Sequence, residues 1–143
     1  MKALYTSTVT ATGGRGNGTA KSADGLVDLK IGTPKELGGK DDGYNPEQLF
    51  AAGYSNCYLG AIKFVAGKEQ PPVAISPDST VTAKVTLGAR DDGGGFEVAV
   101  AMDVSLPGVD KAKAEEIARK AHTVCPYSWS IRGNTDVKTA ILT

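Results

Sequence analysis

Two cysteines, one histidine and an arginine set among glycines are the residues of this 143-residue chain best suited to chemistry. Cys57 lies inside Tyr54-Ser55-Asn56-Cys57-Tyr58, in the middle of an expected helix. A free cysteine there is either a small buried side chain or, as its thiolate, a nucleophile. Cys125 immediately precedes Pro126. A cysteine ahead of a helix-starting proline sits near the positive end of a helix dipole, which favours the thiolate and suits a nucleophile or a resolving thiol. Arg15 is flanked by Gly14 and Gly16, so backbone can pack closely around it and hold the guanidinium in a defined place. Glu47 opens a helix, where an acid complements the dipole. His122 reads as a helix C-terminal residue. A Ser-His-acid triad lacks its nucleophile-elbow sequence. Cys-x-x-Cys and His-x-x-x-His pairs are both absent, so no metal site is expected.

Composition narrows the classes further. Sixteen basic residues balance sixteen acidic ones, and the isoelectric point is near 6.6. That charge builds no field for nucleic acid. No apolar run approaches the ~20 residues that span a bilayer, and Met1–Gly14 has no signal-peptide core. The expectation is a soluble cytoplasmic protein with neither nucleic-acid nor membrane partners. Two cysteines do not make a secreted disulfide scaffold, so in a reducing compartment they are passive or they cycle.

The elements that must position these groups follow from pattern. One domain spans 1–143. Lys2–Thr12 is rich in Thr, Val and Tyr and reads as a strand. Glycines 13, 14, 16 and 18 form a hairpin tip around Arg15, and Val27, Leu29 and Ile31 alternate as a third strand. Residues 32–44 are a surface loop. Asn45-Pro46-Glu47-Gln48 predicts a capped helix start, running to about Ala66. Leu49, Phe50, Tyr54, Tyr58, Ile62 and Val65 cover so much of its circumference that a second subunit is expected to bury part of it. Residues 81–87 and 96–104 make a hairpin joined by Asp91-Asp92-Gly93-Gly94-Gly95. Asp110 caps a helix reaching His122, Cys125-Pro126 begins a short helical stretch, and Val137–Leu142 closes as a strand. The order β-β-β-α-β-β-α-β is α+β with mainly antiparallel pairing.

In combination, Gly14-Arg15-Gly16, Asn45-Pro46-Glu47-Gln48-Leu49-Phe50-Ala51-Ala52-Gly53-Tyr54, Cys57, Val124-Cys125-Pro126-Tyr127-Ser128 and Arg132-Gly133-Asn134 resemble the organic hydroperoxide resistance (Ohr) family of the OsmC/Ohr superfamily. The resemblance runs nearly end to end. It implies antiparallel sheets packed around a central buried helix in an intertwined homodimer, with active sites at the subunit interface. It also implies Cys57 as peroxidatic cysteine, Cys125 as resolving cysteine, Arg15 as activating arginine and Glu47 as the carboxylate orienting it. The implied reaction reduces organic hydroperoxides with no bound cofactor, and a dihydrolipoyl group on a lipoylated protein restores the thiols. Asn56, Tyr58 and Trp129 depart from the usual pattern and border the site.

Three further expectations follow. Cys57 and Cys125 stand 68 positions apart, and a bridge needs their Cα atoms within about 7 Å. Glu47 and Cys57 are ten positions apart, about 15 Å and roughly 80° out of phase on an unbroken helix. Either the helix breaks near Gly53, or the two act from different subunits. Leu49, Phe50, Tyr54, Tyr127 and Trp129 are candidates to line an apolar pocket beside Cys57. The competing readings are an OsmC-type peroxidase with broader peroxide use and a non-catalytic thiol redox sensor.

Overall fold

The computed structural model of the chain describes residues 1–142, in two compact units, Met1–Leu49 and Phe50–Thr143. The first unit is an antiparallel sheet of β1 (Val9–Thr12), β2 (Asn17–Ser22) and β3 (Asp28–Gly32), in that order. β1 is shorter than the Thr- and Val-rich run from Lys2 suggests. Val9 pairs with Ser22, after which the chain turns toward β3, so β2 offers residues 2–8 no backbone to pair with. After one 3-10 turn at Lys35–Leu37 the chain returns to β3. There the Tyr44 N–H donates to Lys30 O at 2.9 Å and the Gly32 N–H to Tyr44 O at 3.0 Å.

Helix α1 (Pro46–Lys68) starts in the first unit and continues through the second without interruption. Its start is a reciprocal capping box: the Gln48 N–H donates to Asn45 Oδ1 at 2.8 Å and the Asn45 N–H to Gln48 Oε1 at 2.9 Å. The second unit adds β4 (Thr80–Ala89), β5 (Phe96–Ser105), α2 (Lys111–Val124), α3 (Pro126–Ile131) and β6 (Val137–Ile141). β4 and β5 form the expected antiparallel hairpin, in register from Thr80↔Ser105 to Ala89↔Phe96. β6 lies parallel to β5, Val100 opposite Val137. A parallel neighbour requires a long crossover, and α2 with α3 supply it. Asp110 caps α2, accepting from the Ala112 and Lys113 N–H groups, as its position predicts. The result is an α+β fold of two three-stranded sheets and three helices.

The core lies in the second unit. Tyr54, Tyr58, Ala61, Ile62, Val65 and Ala66 of α1 pack with Val100, Met102 and Val104 of β5 and with Ala114, Ile117 and Ala121 of α2. Strand alternation and helical periodicity put those residues on facing surfaces. Ala52, Asn56, Gly60 and Phe64 recur every fourth position on the other side of α1 and are exposed, Phe64 by 56%. The helix is thus apolar around much of its girth, yet this chain buries one side of it.

The core makes a direct prediction. Ile62, fully buried, should cost about 2–5 kcal/mol on truncation to alanine. Its exposed neighbour Lys63 should cost within about 0.5 kcal/mol. Urea denaturation of both variants at one protein concentration checks the contrast.

Candidate active site

The crossover between β5 and β6 carries Cys125 back against α1. Cys125 is the residue at which α2 ends and α3 begins, with extended backbone (φ −64°, ψ 120°). Its N–H donates to Ala121 O and its carbonyl accepts from the Trp129 N–H, both at 2.9 Å. These bonds tie one cysteine to two helices. The Cys57 and Cys125 sulfurs stand 3.4 Å apart and are unbonded. Cys125 is fully buried and Cys57 partly open. Burial pushes the Cys57 thiol up, and the adjacent Cys125 thiol adds to this, while the Tyr127 N–H donates to the Cys57 sulfur and pulls the other way. Within its own unit, then, Cys57 has one backbone dipole favouring the anion and two influences opposing it.

Aromatic side chains surround the pair. Phe50 meets Tyr54 edge to face with centroids 5.8 Å apart, and Tyr127 lies 5.7 Å from Tyr54 and 6.0 Å from Phe50. Tyr127 lies across α1 at Gly53, where any Cβ would meet its hydroxyl at 2.9 Å; the glycine serves this close approach, not a helix break. Of the five candidate pocket residues, Phe50, Tyr54 and Tyr127 are therefore brought together. Tyr54 is fully buried, whereas Trp129 is 64% exposed and stacks on the Arg132 guanidinium at 4.6 Å. Leu49 is half-buried at the end of the first unit.

His122 is more deeply engaged than its place near a helix end suggests. Its Nδ1 bonds Ser128 Oγ and its Nε2 bonds Thr139 Oγ1, each at 2.9 Å. Its ring lies 4.3 Å from that of Tyr58. Burial, helped by Arg132, pushes its pKa down, which favours the neutral ring. The available sequence signal was the spacing His122-x-x-Cys125-x-x-Ser128, three residues to either side of the cysteine.

The remaining two candidates meet in the first unit. Gly13 and Gly14 take positive φ (70° and 66°), the conformation that lets the chain reverse between β1 and β2. Arg15 sits in that reversal. Its Nη1 donates to Glu47 Oε2 at 2.7 Å and its Nη2 to Glu47 Oε1 at 2.9 Å, a fork-on-fork pair. The Arg15 hydrogen bonds hold the Glu47 carboxyl below the usual carboxylate range, and the pair raises Arg15 in turn. Glu47's side chain is only 14% exposed and Arg15's 42%, so the acid anchors the guanidinium while its other N–H groups stay open. Among the described residues no group of three or more His, Cys, Asp or Glu side chains could hold a metal ion, and no helix is long and apolar enough to cross a membrane.

The crossover brings two unbonded thiols within 3.4 Å of each other, and the family follows from comparison. The model for the OsmC-like protein family matches residues 39–140, and the chain belongs to that family. The organic hydroperoxide resistance protein of Xanthomonas axonopodis pv. citri (strain 306) is 49% identical over 139 residues, 95% of this chain and 93% of that one. The organic hydroperoxide resistance protein OhrB of Bacillus subtilis (strain 168) is 45% identical over 136 residues, covering 95% and 96%. Among solved structures, the organic hydroperoxide resistance protein OsmC of Legionella pneumophila superposes with a TM-score of 0.90 at 44% identity, covering 99% of this chain and 100% of that one.

Proposed function

We propose that this chain is a cytoplasmic two-cysteine thiol peroxidase that reduces organic hydroperoxides to alcohols. The observation that carries the reading is the 3.4 Å approach of two reduced sulfurs, one open and one buried. Cys57, the reachable sulfur, attacks the peroxide as its thiolate. The O–O bond breaks, the alkoxide takes a proton and leaves as alcohol, and Cys57, oxidised by two electrons, becomes a sulfenic acid. Cys125 then attacks that sulfur. Its thiol proton leaves with the hydroxide as water, and a disulfide remains. About 1.4 Å of further approach takes the sulfurs from their observed separation to the ~2.0 Å of a disulfide bond. Burial of Cys125 suits a resolving thiol, because it meets Cys57 but not free peroxide. An external dithiol, a dihydrolipoyl group on a lipoylated protein in this proposal, reopens the bridge by exchange and leaves as its own disulfide. No bound cofactor takes part.

Substrate class rests on the aromatic cluster and on the names of the relatives. In this proposal the apolar cluster of Phe50, Tyr54 and Tyr127 receives the substrate's chain, which favours alkyl or fatty-acid hydroperoxides over hydrogen peroxide.

The protein works as a homodimer in this proposal. The open face of α1, together with exposed Val9, Leu26 and Tyr44 of the first unit, is apolar surface that a second copy buries. Cys57 also needs a cation, because its own unit pushes the thiol up. α1 is unbroken, so Glu47 lies about 15 Å along the helix from Cys57. The Arg15–Glu47 pair of one subunit therefore serves the thiols of its partner. Because Glu47's pKa is depressed, the pair is intact above the ordinary carboxylate pKa and is lost as pH falls through the lowered value.

Two experiments test this reading. With dihydrolipoamide as reductant, the protein should turn over cumene hydroperoxide at least about tenfold faster than hydrogen peroxide. Cys57→Ser should be inactive, and Cys125→Ser should react once and then stall or overoxidise. Full turnover by Cys57→Ser, or equal rates on both peroxides, would contradict it. Subunit exchange tests the shared site: Cys57→Ser and Glu47→Gln proteins, each nearly inactive, should regain about a quarter of wild-type activity when mixed one to one, since half the dimers then hold one intact site. No regain would place both residues in one subunit's site.

A further inference from the structure

Three polar side chains that the reaction does not consume each stand three residues from one of the two cysteines. Tyr54 precedes Cys57 by three residues, His122 precedes Cys125 by three, and Ser128 follows it by three. On helices, residues three apart share a face. Each of α1, α2 and α3 thus carries one polar group within a turn of a cysteine. There they join: Tyr54 Oη and Ser128 Oγ are 2.8 Å apart, and Ser128 Oγ lies 2.9 Å from His122 Nδ1. The imidazole is held in turn by Thr139 of β6 through Nε2 and by the Tyr58 ring.

This clasp closes across the joint that carries Cys125. α2 and α3 meet at that residue in an extended conformation, and α3 is only six residues long, so the helical path breaks at that joint. Tyr127 packs α3 onto α1 on one side, but the side that carries Ser128 is less filled. A cleft of about 180 Å³ opens beside Tyr54, His122, Ser128 and Ile131, leaving Ser128 to be located by its two hydrogen bonds. Ser128 is nonetheless buried, and its hydroxyl would be left unsatisfied if both partners were lost.

We propose that His122, acting through Ser128 and Tyr54, is a positioning residue that sets the approach of Cys125 to Cys57 and so governs closure of the disulfide rather than attack on peroxide. The inference rests on the peroxidase reading for its role in turnover, though the closure geometry can be tested apart from it. Misplacement of a reacting group by about 1 Å costs up to about a hundredfold in rate. Attack on peroxide uses Cys57 and its activating cation but not Cys125, and Cys57 sits on α1, whose 23-residue span does not depend on that joint.

The test compares wild type, His122→Leu and His122→Asn, using diamide and cumene hydroperoxide in parallel, with circular dichroism to establish folding. Sulfenic acid formation at Cys57, trapped with dimedone, should stay within about twofold of wild type in every variant. Bridge formation should slow at least about tenfold in His122→Leu, with Cys57 sulfinic acid accumulating under excess peroxide. His122→Asn, whose amide can still meet Ser128, should recover most of the closure rate. If His122→Leu does not fold, Ser128→Ala, which removes a single hydroxyl, carries the same expectation at about threefold or more. Closure at the wild-type rate in the folded variant, or equal slowing of both steps, overturns the inference. If peroxide leaves the wild-type thiols untouched, the peroxidase reading fails instead, and the diamide arm still decides the role of His122.

Discussion

Two sulfurs kept within reach yet unbonded impose a demanding constraint, because nothing covalent holds them. Cys57 and Cys125 stand 3.4 Å apart although 68 positions of chain separate them. The parallel placement of β6 beside β5 is what makes this possible. It forces a helical crossover, and the crossover bends at Cys125, back against α1. The core that anchors the crossover, Ile117 and Ala121 of α2 against Tyr58 and Ile62 of α1, thus also sets the reach of Cys125. Stability and reactivity share the same residues here.

The second constraint is electrostatic. A thiol in this setting is pushed up by burial and by its neighbour, which opposes the anion the chemistry needs. The Tyr127 N–H is the one favourable influence in its unit. The cation that the proposed dimer supplies to Cys57 is an arginine pinned in a glycine reversal by a carboxylate in the first turn of α1. A bidentate pair fixes direction as well as charge. In the proposed dimer, ionising Cys57 and assembling the dimer become a single event, so a lone chain keeps a comparatively unreactive thiol.

Much of this was legible in the sequence because it is local. The capping box at Asn45 and Gln48, the Asp110 cap, the β4–β5 hairpin and the α3 start at Pro126 are each written within a few residues. Family resemblance, not spacing, implied the Arg15–Glu47 pairing that the structure contains, and it is the source of the cysteine roles proposed above. What escaped was non-local. β6 alternates like any strand, and nothing in its residues tells parallel from antiparallel pairing. β1 is shorter than its composition suggests, because pairing ends where its partner ends. His122 looked like a helix terminus, since its importance comes from Ser128, Thr139 and Tyr58, which only the fold assembles. Gly53 suggested a break, yet its missing side chain makes room for Tyr127.

The most direct measurement is stoichiometric. Reduced protein is mixed anaerobically with one equivalent of cumene hydroperoxide and no external thiol, then quenched, its thiols counted and its peptides mapped. The expected result is one cumyl alcohol and two lost thiols per chain, with Cys57 and Cys125 joined in a single cross-linked peptide. Alcohol formed with both thiols intact, or thiols lost without a bridge between these two residues, would contradict it.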